Sequence, residues 1–286
     1  MRLARVCRRA MLVALALLAT AGRAQTASDE EVPFITTPDR VTLAMLQLAD
    51  VGPADRLIDL GSGDGRIVIT AARLFGARGL GVDIVPDLVA RSEASAAQAG
   101  VADRARFRVQ DLFETDLAGA SVITLYLLPE FNLRLRPRLL ALKPGTRIVS
   151  HDWDMGDWAP DRTLTLDVPE KAIGREKRSR LHLWVVPARL QGLWCGPGGL
   201  ALQVQQRYQA VEATLQAGAE QWSVGGRIHG TRLALEGPGE MAGWLAEAEP
   251  GGGLRVVAAA PHSGLLAGQR LQATSGTACP TGRLPG

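Results

Sequence analysis

Between residues 56 and 186 the chain alternates short apolar runs with longer amphipathic ones. Arg56-Leu57-Ile58 leads through a glycine-rich turn into Ile67-Val68-Ile69-Thr70-Ala71-Ala72-Arg73-Leu74-Phe75, which predicts strand, turn and helix. Gly79-Leu80-Gly81-Val82-Asp83 predicts a second buried strand, and Pro86 to about Ala99 an alanine-rich helix stopped by Gly100. Arg106 to Asp111 predicts a third strand and Ser121 to Tyr126 a fourth. Glu130 to Leu142 reads as a helix, with Pro137 at an awkward interior position where a kink is expected. Thr146 to Asp152 predicts a fifth strand, Thr163 to Val168 a sixth and Leu181 to Val186 a seventh. Upstream, Val32 to Pro38 is extended and proline-punctuated, and Pro38 opens a helix through Ala49. Alternating units followed by a strand pair predict an α/β fold: a doubly wound, seven-stranded Rossmann-like sheet with an antiparallel last strand.

After Pro187 the helical period fades. Short alternating runs lie between glycines: Gly199 to Gln206, Tyr208 to Leu215, Trp222 to Ile228, Arg232 to Leu235, Leu254 to Ala258 and Arg270 to Ala273. They predict a small all-β module of about 90 residues. It carries no residue pattern with evident chemistry. The expected division is 1–24, 25–188 and 189–286.

The first segment is read as a secretory signal. Arg2, Arg5, Arg8 and Arg9 precede an apolar run from Ala10 to Ala19, followed by small residues. Cleavage after Ala24 or after Ala21 both fit. The run is about a dozen residues, short of the roughly 20 a membrane span needs. Arg8-Arg9 before Ala10-Met11-Leu12 also fits a twin-arginine signal. Export, to a periplasm, is therefore the expectation; a cytoplasmic or membrane-anchored protein follows if the leader stays or the start lies elsewhere.

The leader changes the charge balance. It holds five arginines and no acid, so the whole chain's 32 basic and 29 acidic residues become 27 against 29 after cleavage, about −2. The net charge of +3 thus belongs to the leader, and no nucleic-acid partner is expected. Arg175-Glu176-Lys177-Arg178-Ser179-Arg180 is mixed and reads as a solvated turn. No segment of the mature chain is long and apolar enough to span a membrane. Of three cysteines, Cys7 leaves with the leader; Cys195 and Cys279 remain, and an even pair in an exported chain suggests a disulfide. Metal-ligand spacing is absent, and no metal is expected.

The chemistry concentrates in Asp59-Leu60-Gly61-Ser62-Gly63-Asp64-Gly65-Arg66. Glycines at alternate positions leave bare backbone, and the helix that follows offers free N–H groups. A dinucleotide site wants G-x-G-x-x-G, but the third position needed is Arg66. Asp59 before the glycines suits a cationic amino group better than a pyrophosphate. In an open α/β sheet ligands sit at the carboxyl ends of the strands. Asp83, with Ile84 after it, ends the second strand, where a carboxylate can take ribose hydroxyls. Asp111 ends the third and can accept from an adenine amino group, while Leu112 covers the ring.

This D-x-G-x-G-x-G pattern resembles motif I of the class I S-adenosylmethionine (SAM) methyltransferases. Together with Val32-Pro33-Phe34-Ile35-Thr36-Thr37-Pro38 and Thr124-Leu125-Tyr126-Leu127-Leu128-Pro129, it is similar to the family of the ATP synthase c-subunit lysine methyltransferases. The resemblance covers about Val32 to Pro187 and implies S-adenosyl-L-methionine as cofactor. The expected cofactor contacts are Asp59, Gly61, Ser62, Gly63, Asp64, Gly65, Asp83, Ile84, Asp111 and Leu112.

Methyl transfer from a sulfonium needs a deprotonated nucleophile held about 3 Å from the methyl carbon. The Asp/Asn-Pro-Pro-aromatic motif of many amino-group methyltransferases is missing after the fourth strand, where Tyr126-Leu127-Leu128-Pro129-Glu130 stands instead. Ser150-His151-Asp152-Trp153-Asp154 ends the fifth, with Trp158 beyond it. Acids beside aromatics suit a lysine ammonium, and His151 or Glu130 can accept its proton. Equally, His151 can cap the strand while Trp153 and Trp158 pack on the sheet. Tyr126, Glu130, His151 and Asp152 are the candidate catalytic residues. The leading expectation is a protein-lysine N-methyltransferase. A small-molecule O- or N-methyltransferase and an exported SAM-fold binding module with an idle acceptor site are the alternatives.

Overall fold

The computed structural model describes residues 35–171, 176–237, 243–259 and 267–279. The expected leader and the start of the Val32–Pro38 segment lie outside them. Helix α1 (Asp39–Leu48) opens on Pro38, whose carbonyl accepts from the amides of Val41 and Thr42. Then follow β1 (Arg56–Leu60), α2 (Arg66–Phe75), β2 (Arg78–Asp83), α3 (Pro86–Gln98), β3 (Ala105–Val109), β4 (Val122–Leu125), α4 (Pro129–Leu139), β5 (Arg147–His151), β6 (Arg162–Asp167) and β7 (Arg178–Val185).

These seven strands form one sheet in the order β3-β2-β1-β4-β5-β7-β6. Strand β1 pairs in parallel with both β2 and β4, so the chain winds outward to β3 and then returns to start the other half beside β1. That reversal makes the switch point where an open sheet places its ligand. Strand β7 runs antiparallel between β5 and β6. The core lies on both faces, because neighbouring residues of a strand point opposite ways. Leu57, Val149 and Leu183 pack with α1 and α2 residues on one side, and Ile58, Ile148 and Trp184 with Leu135 and Leu139 of α4 on the other.

The structure corrects two expectations. Helix α4 stops at Leu139, three residues early, and Pro137 stands in its last turn. Pro137 cannot donate to the carbonyl four residues back, and the helix ends two residues later. The stretch read as a solvated turn is partly strand: β7 begins at Arg178, with Arg178 and Arg180 exposed and Ser179 fully buried between them.

The last part is a closed eight-stranded barrel: β8 (Gly192–Cys195), β9 (Ala201–Arg207), β10 (Ala210–Ala217), β11 (Glu220–His229), β12 (Arg232–Glu236), β13 (Trp244–Ala248), β14 (Gly253–Ala258) and β15 (Arg270–Thr274). Each strand pairs antiparallel with the next, and β15 closes on β8 through Gln272 opposite Cys195. Apolar side chains fill the interior, Leu202, Val204, Leu215, Ile228, Trp244 and Val256 among them. It is a packed core of the kind small barrels have. Cys195 and Cys279 are joined by a disulfide at the closing seam. The alternating runs of the sequence correspond to six of the eight strands. Strand β8 is too short to show a period, and the Ala-Glu-Ala of β13 has low strand propensity.

Candidate active site

The glycine turn is closed by β2 and braced by its aspartate. The amides of Gly61 and Ser62 both donate to the Val82 carbonyl at 2.9 Å. The Gly63 amide donates to one Asp83 carboxylate oxygen at 2.9 Å, and the Val85 amide to the other at 3.0 Å. Gly61 and Gly65 both stand at φ +77°, a region costly for other residues. A methyl on Gly61 would meet Leu127 at 2.9 Å, and one on Gly65 would meet Phe107 at 2.7 Å and Ser92 at 2.8 Å. These two glycines therefore make room for protein side chains as well as for a bare turn.

Asp64 does not project freely. Its carboxylate is gripped by Arg66, whose Nη2 lies 2.5 Å away, while Nη1 of the same guanidinium donates to the Thr37 carbonyl at 2.6 Å. Arg66 thus ties the N-terminal extended segment to the glycine turn. Asp59 is almost wholly buried on β1, and Thr124 of β4 donates to it at 2.7 Å. Burial pushes its carboxyl up to about 7; the Thr124 bond works against this, and the neighbouring Asp83 and Asp64 charges add to it. The hydroxyl of Ser62 is buried with no hydrogen-bond partner.

Asp83 and Asp111 follow at the ends of adjacent parallel strands, joined by the Gln110 amide donating to the Asp83 carbonyl at 2.9 Å. Asp111 is exposed, and one oxygen accepts from the Phe113 amide at 2.7 Å. Ile84 and Val109 are more than half exposed at the same carboxyl edge, while Leu112 is half-buried. The edge from β1 to β3 thus carries the ten expected cofactor residues, with Thr124 and Arg66 as supports that sequence reasoning misses. Arg66 has a signal, an acid two residues before it; Thr124, on a continuous apolar strand, has none.

Beyond β4 and β5 the ring of Tyr126 lies against that of His151, centroids 4.0 Å apart. Burial pushes the Tyr126 hydroxyl up to about 12, and the Asp152 charge adds to the effect. His151 is fully buried, its Nε2 is 2.8 Å from the Ser179 hydroxyl, and its Nδ1 has no partner. Burial pushes it down to about 4; Asp152 opposes that and Lys171 reinforces it, so the imidazole is neutral near pH 7. Asp152 has a positive φ of 64° and accepts from the Arg180 amide at 3.0 Å. Its other oxygen holds the ammonium of Lys171 at 2.6 Å. Sequence reasoning passes over Lys171, because nothing local marks it. Trp158 is buried in the core, whereas Trp153 is 42% exposed. Glu130 is exposed in the first turn of α4.

The ANTKMT methyltransferase domain family matches residues 59–162. The chain is 39% identical over 138 residues to a protein-lysine N-methyltransferase of Saccharolobus islandicus, covering 48% of this chain and 86% of that one. It is 37% identical over 108 residues to the ATP synthase c-subunit lysine N-methyltransferase of Mus musculus, but spans less than half of that enzyme's length, 43%. Among solved structures, it is 52% identical to an RNA methyltransferase of Salinibacter ruber in complex with S-adenosyl-L-homocysteine, with a TM-score of 0.50 over 55% of this chain and 96% of that one.

The residues present fit SAM. Asp59 is a buried carboxylate short of a cation, Ser62 has an unused hydroxyl, and Ile84 and Val109 offer apolar surface beside the acids of β2 and β3.

Proposed function

We infer the reaction from the family: the chain belongs to the protein-lysine N-methyltransferases, it is a SAM-dependent methyltransferase, and the acceptor we propose for it is a lysine side chain of a protein. The observation that carries the acceptor is the Asp152 carboxylate, which already binds an alkylammonium, that of Lys171, at 2.6 Å. Left-handed backbone at a non-glycine residue costs of order 1 kcal/mol or more and tends to persist at working sites.

Bound SAM supplies a methyl group on a positively charged sulfur. Asp59 would hold its amino group, Asp83 its ribose and Asp111 its adenine, with the backbone of Gly61 to Gly65, Ser62, Ile84 and Leu112 completing the site. Asp64, held by Arg66, keeps the turn in shape. On the acceptor side Asp152 attracts the lysine ammonium and Tyr126 walls the site. The ammonium must lose a proton before it can attack. His151 is sealed from solvent against Tyr126, so solvent and not His151 takes the proton.

The likeness to the Salinibacter ruber RNA methyltransferase favours a second reading, an RNA acceptor. The balance of about −2 after cleavage speaks against it. Transfer of tritiated methyl from SAM into a cell-envelope extract, fractionated into protein, RNA and small molecules, tests the assignment. Label in protein lysine is the expected result; label in RNA or small molecules, or none, overturns it.

We further propose that the chain is exported after cleavage of residues 1–24, with 25–188 as the transferase and 189–286 as the barrel part. The Cys195–Cys279 disulfide supports an oxidising compartment. Mass spectrometry of the mature N-terminus in fractionated cells tests this: a chain that retains its first residues in the cytoplasm refutes it.

A further inference from the structure

The loop that leaves β5, residues 152–161, contains no helix, and the sheet and α4 hold it on two sides. Asn132 of α4, itself buried, donates to the Ser150 hydroxyl at 3.1 Å and to the carbonyls of Trp153 and Asp154 at 3.3 Å. Arg136, one turn on, donates to the Met155 carbonyl at 2.8 Å and the Asp157 carboxylate at 2.5 Å. The Trp184 indole on β7 donates to the Trp158 carbonyl at 2.7 Å.

The third side is the barrel. The turn between β9 and β10 presents Tyr208, at φ +55°, and Gln209, which is 3% exposed. The Gln209 amide oxygen accepts from the Trp158 indole at 3.0 Å, and its nitrogen donates to the Ala159 carbonyl at 2.6 Å. Its backbone carbonyl accepts from the Ile228 amide at 2.7 Å, so the residue is anchored in the barrel while it reads the loop. The Tyr208 hydroxyl lies 3.1 Å from both Asp157 oxygens, and Arg207 reaches the same carboxylate at 3.1 Å. Arg207 and Tyr208, before Arg136, hold the Asp157 carboxyl below its usual range. Arg227 of β11 pairs with Asp161 at 2.8 Å, where the loop enters β6.

These bonds converge on residues 157–161 of a loop that begins with Asp152 and the exposed Trp153. We propose that Gln209 and Tyr208 are positioning residues for methyl transfer: through Trp158, Ala159 and Asp157 they fix the loop whose other end receives the acceptor. The family match ends at residue 162, so this support comes from a part of the chain outside it. A displacement of about 1 Å at a reacting group can cost of order 100-fold in rate, so holding such a loop has kinetic consequences. The proposal rests on the reading that the acceptor lies at Asp152.

The test uses the full chain. Gln209→Met removes both side-chain bonds at similar volume, and Tyr208→Phe removes the hydroxyl alone. Hydrogen exchange is followed in residues 152–161, together with tritiated methyl transfer into the cell-envelope protein fraction at varied fraction concentration. Expected are faster exchange in the loop, an apparent KM raised about tenfold in Gln209→Met and a few-fold in Tyr208→Phe, and SAM affinity unchanged by calorimetry. Unaltered loop exchange, unaltered KM, or a parallel loss of SAM affinity overturns the proposal. If Gln209→Met does not fold, Tyr208→Phe decides by the same split. If the wild type labels RNA instead of protein, the acceptor reading falls, and the same KM split measured on RNA still decides the positioning role.

Discussion

Thr124 donates its hydroxyl to the buried Asp59 carboxylate across 2.7 Å, tying β4 to β1 at the switch point of the sheet. Burial outweighs this bond, and the carboxyl titrates at about 7 instead of 3.8. A raised carboxyl means that the stability it contributes is complete below about pH 4 and lost as the pH rises through about 7. The amino group of SAM reverses the balance by favouring the ionised form. SAM affinity is therefore expected to rise with pH, by up to about tenfold per unit below 7, and to level off above it. Asp59→Asn flattens the profile. Calorimetry between pH 5.5 and 8 checks both.

His151 runs the other way. Its imidazole is held near 4 against 6.5 in the unfolded chain, so its contribution to stability is full above about 6.5 and lost as the pH falls towards 4. His151→Gln is expected to flatten that acid limb, leaving the opposite slope from Asp59 exposed. Urea midpoints measured from pH 4 to 8 for both proteins distinguish the two groups.

Asp152→Asn removes the charge proposed to hold the acceptor lysine. Losing a charged hydrogen-bond partner costs about 1.5–3 kcal/mol, so KM for the protein acceptor rises about 10- to 100-fold with SAM affinity unchanged. Lys171→Met, which vacates the same carboxylate, lowers KM. Steady-state transfer assays with saturating SAM check both directions.

The disulfide closes a long loop, its cysteines 84 residues apart. Removing such a bond costs about 2–5 kcal/mol. Cys195→Ala with Cys279→Ala is expected to lower the barrel's unfolding stability by that amount, while SAM affinity, proposed to be set at β1 to β3, stays unchanged. Guanidinium unfolding followed by tryptophan fluorescence, beside a SAM titration, checks the separation.

The proposed cofactor half of this site rests on signals that are local in the sequence. Asp59 and the glycines are contiguous, and Asp83 and Asp111 each end an apolar run that predicts a strand. The proposed acceptor half depends on contacts made only in three dimensions. Ser179 faces His151 because β7 inserts beside β5, and Lys171 reaches Asp152 from the connection between β6 and β7. No spacing in the chain announces either. The same holds for Gln209, 51 residues from the Trp158 it grips. Periodicity overextends helix α4 because Leu140 and Leu142 continue its apolar pattern past the residue where the backbone leaves the helix.

The central proposal is that the Gly61–Gly65 turn and Asp83 together hold one nucleoside. Calorimetric titration of SAM into the mature protein and into Asp83→Ala measures this most directly. One site per chain is expected, with affinity weakened about 10- to 100-fold in the variant, the scale of a lost charged acceptor. No binding by the wild-type protein, or equal affinity in the two, would contradict it.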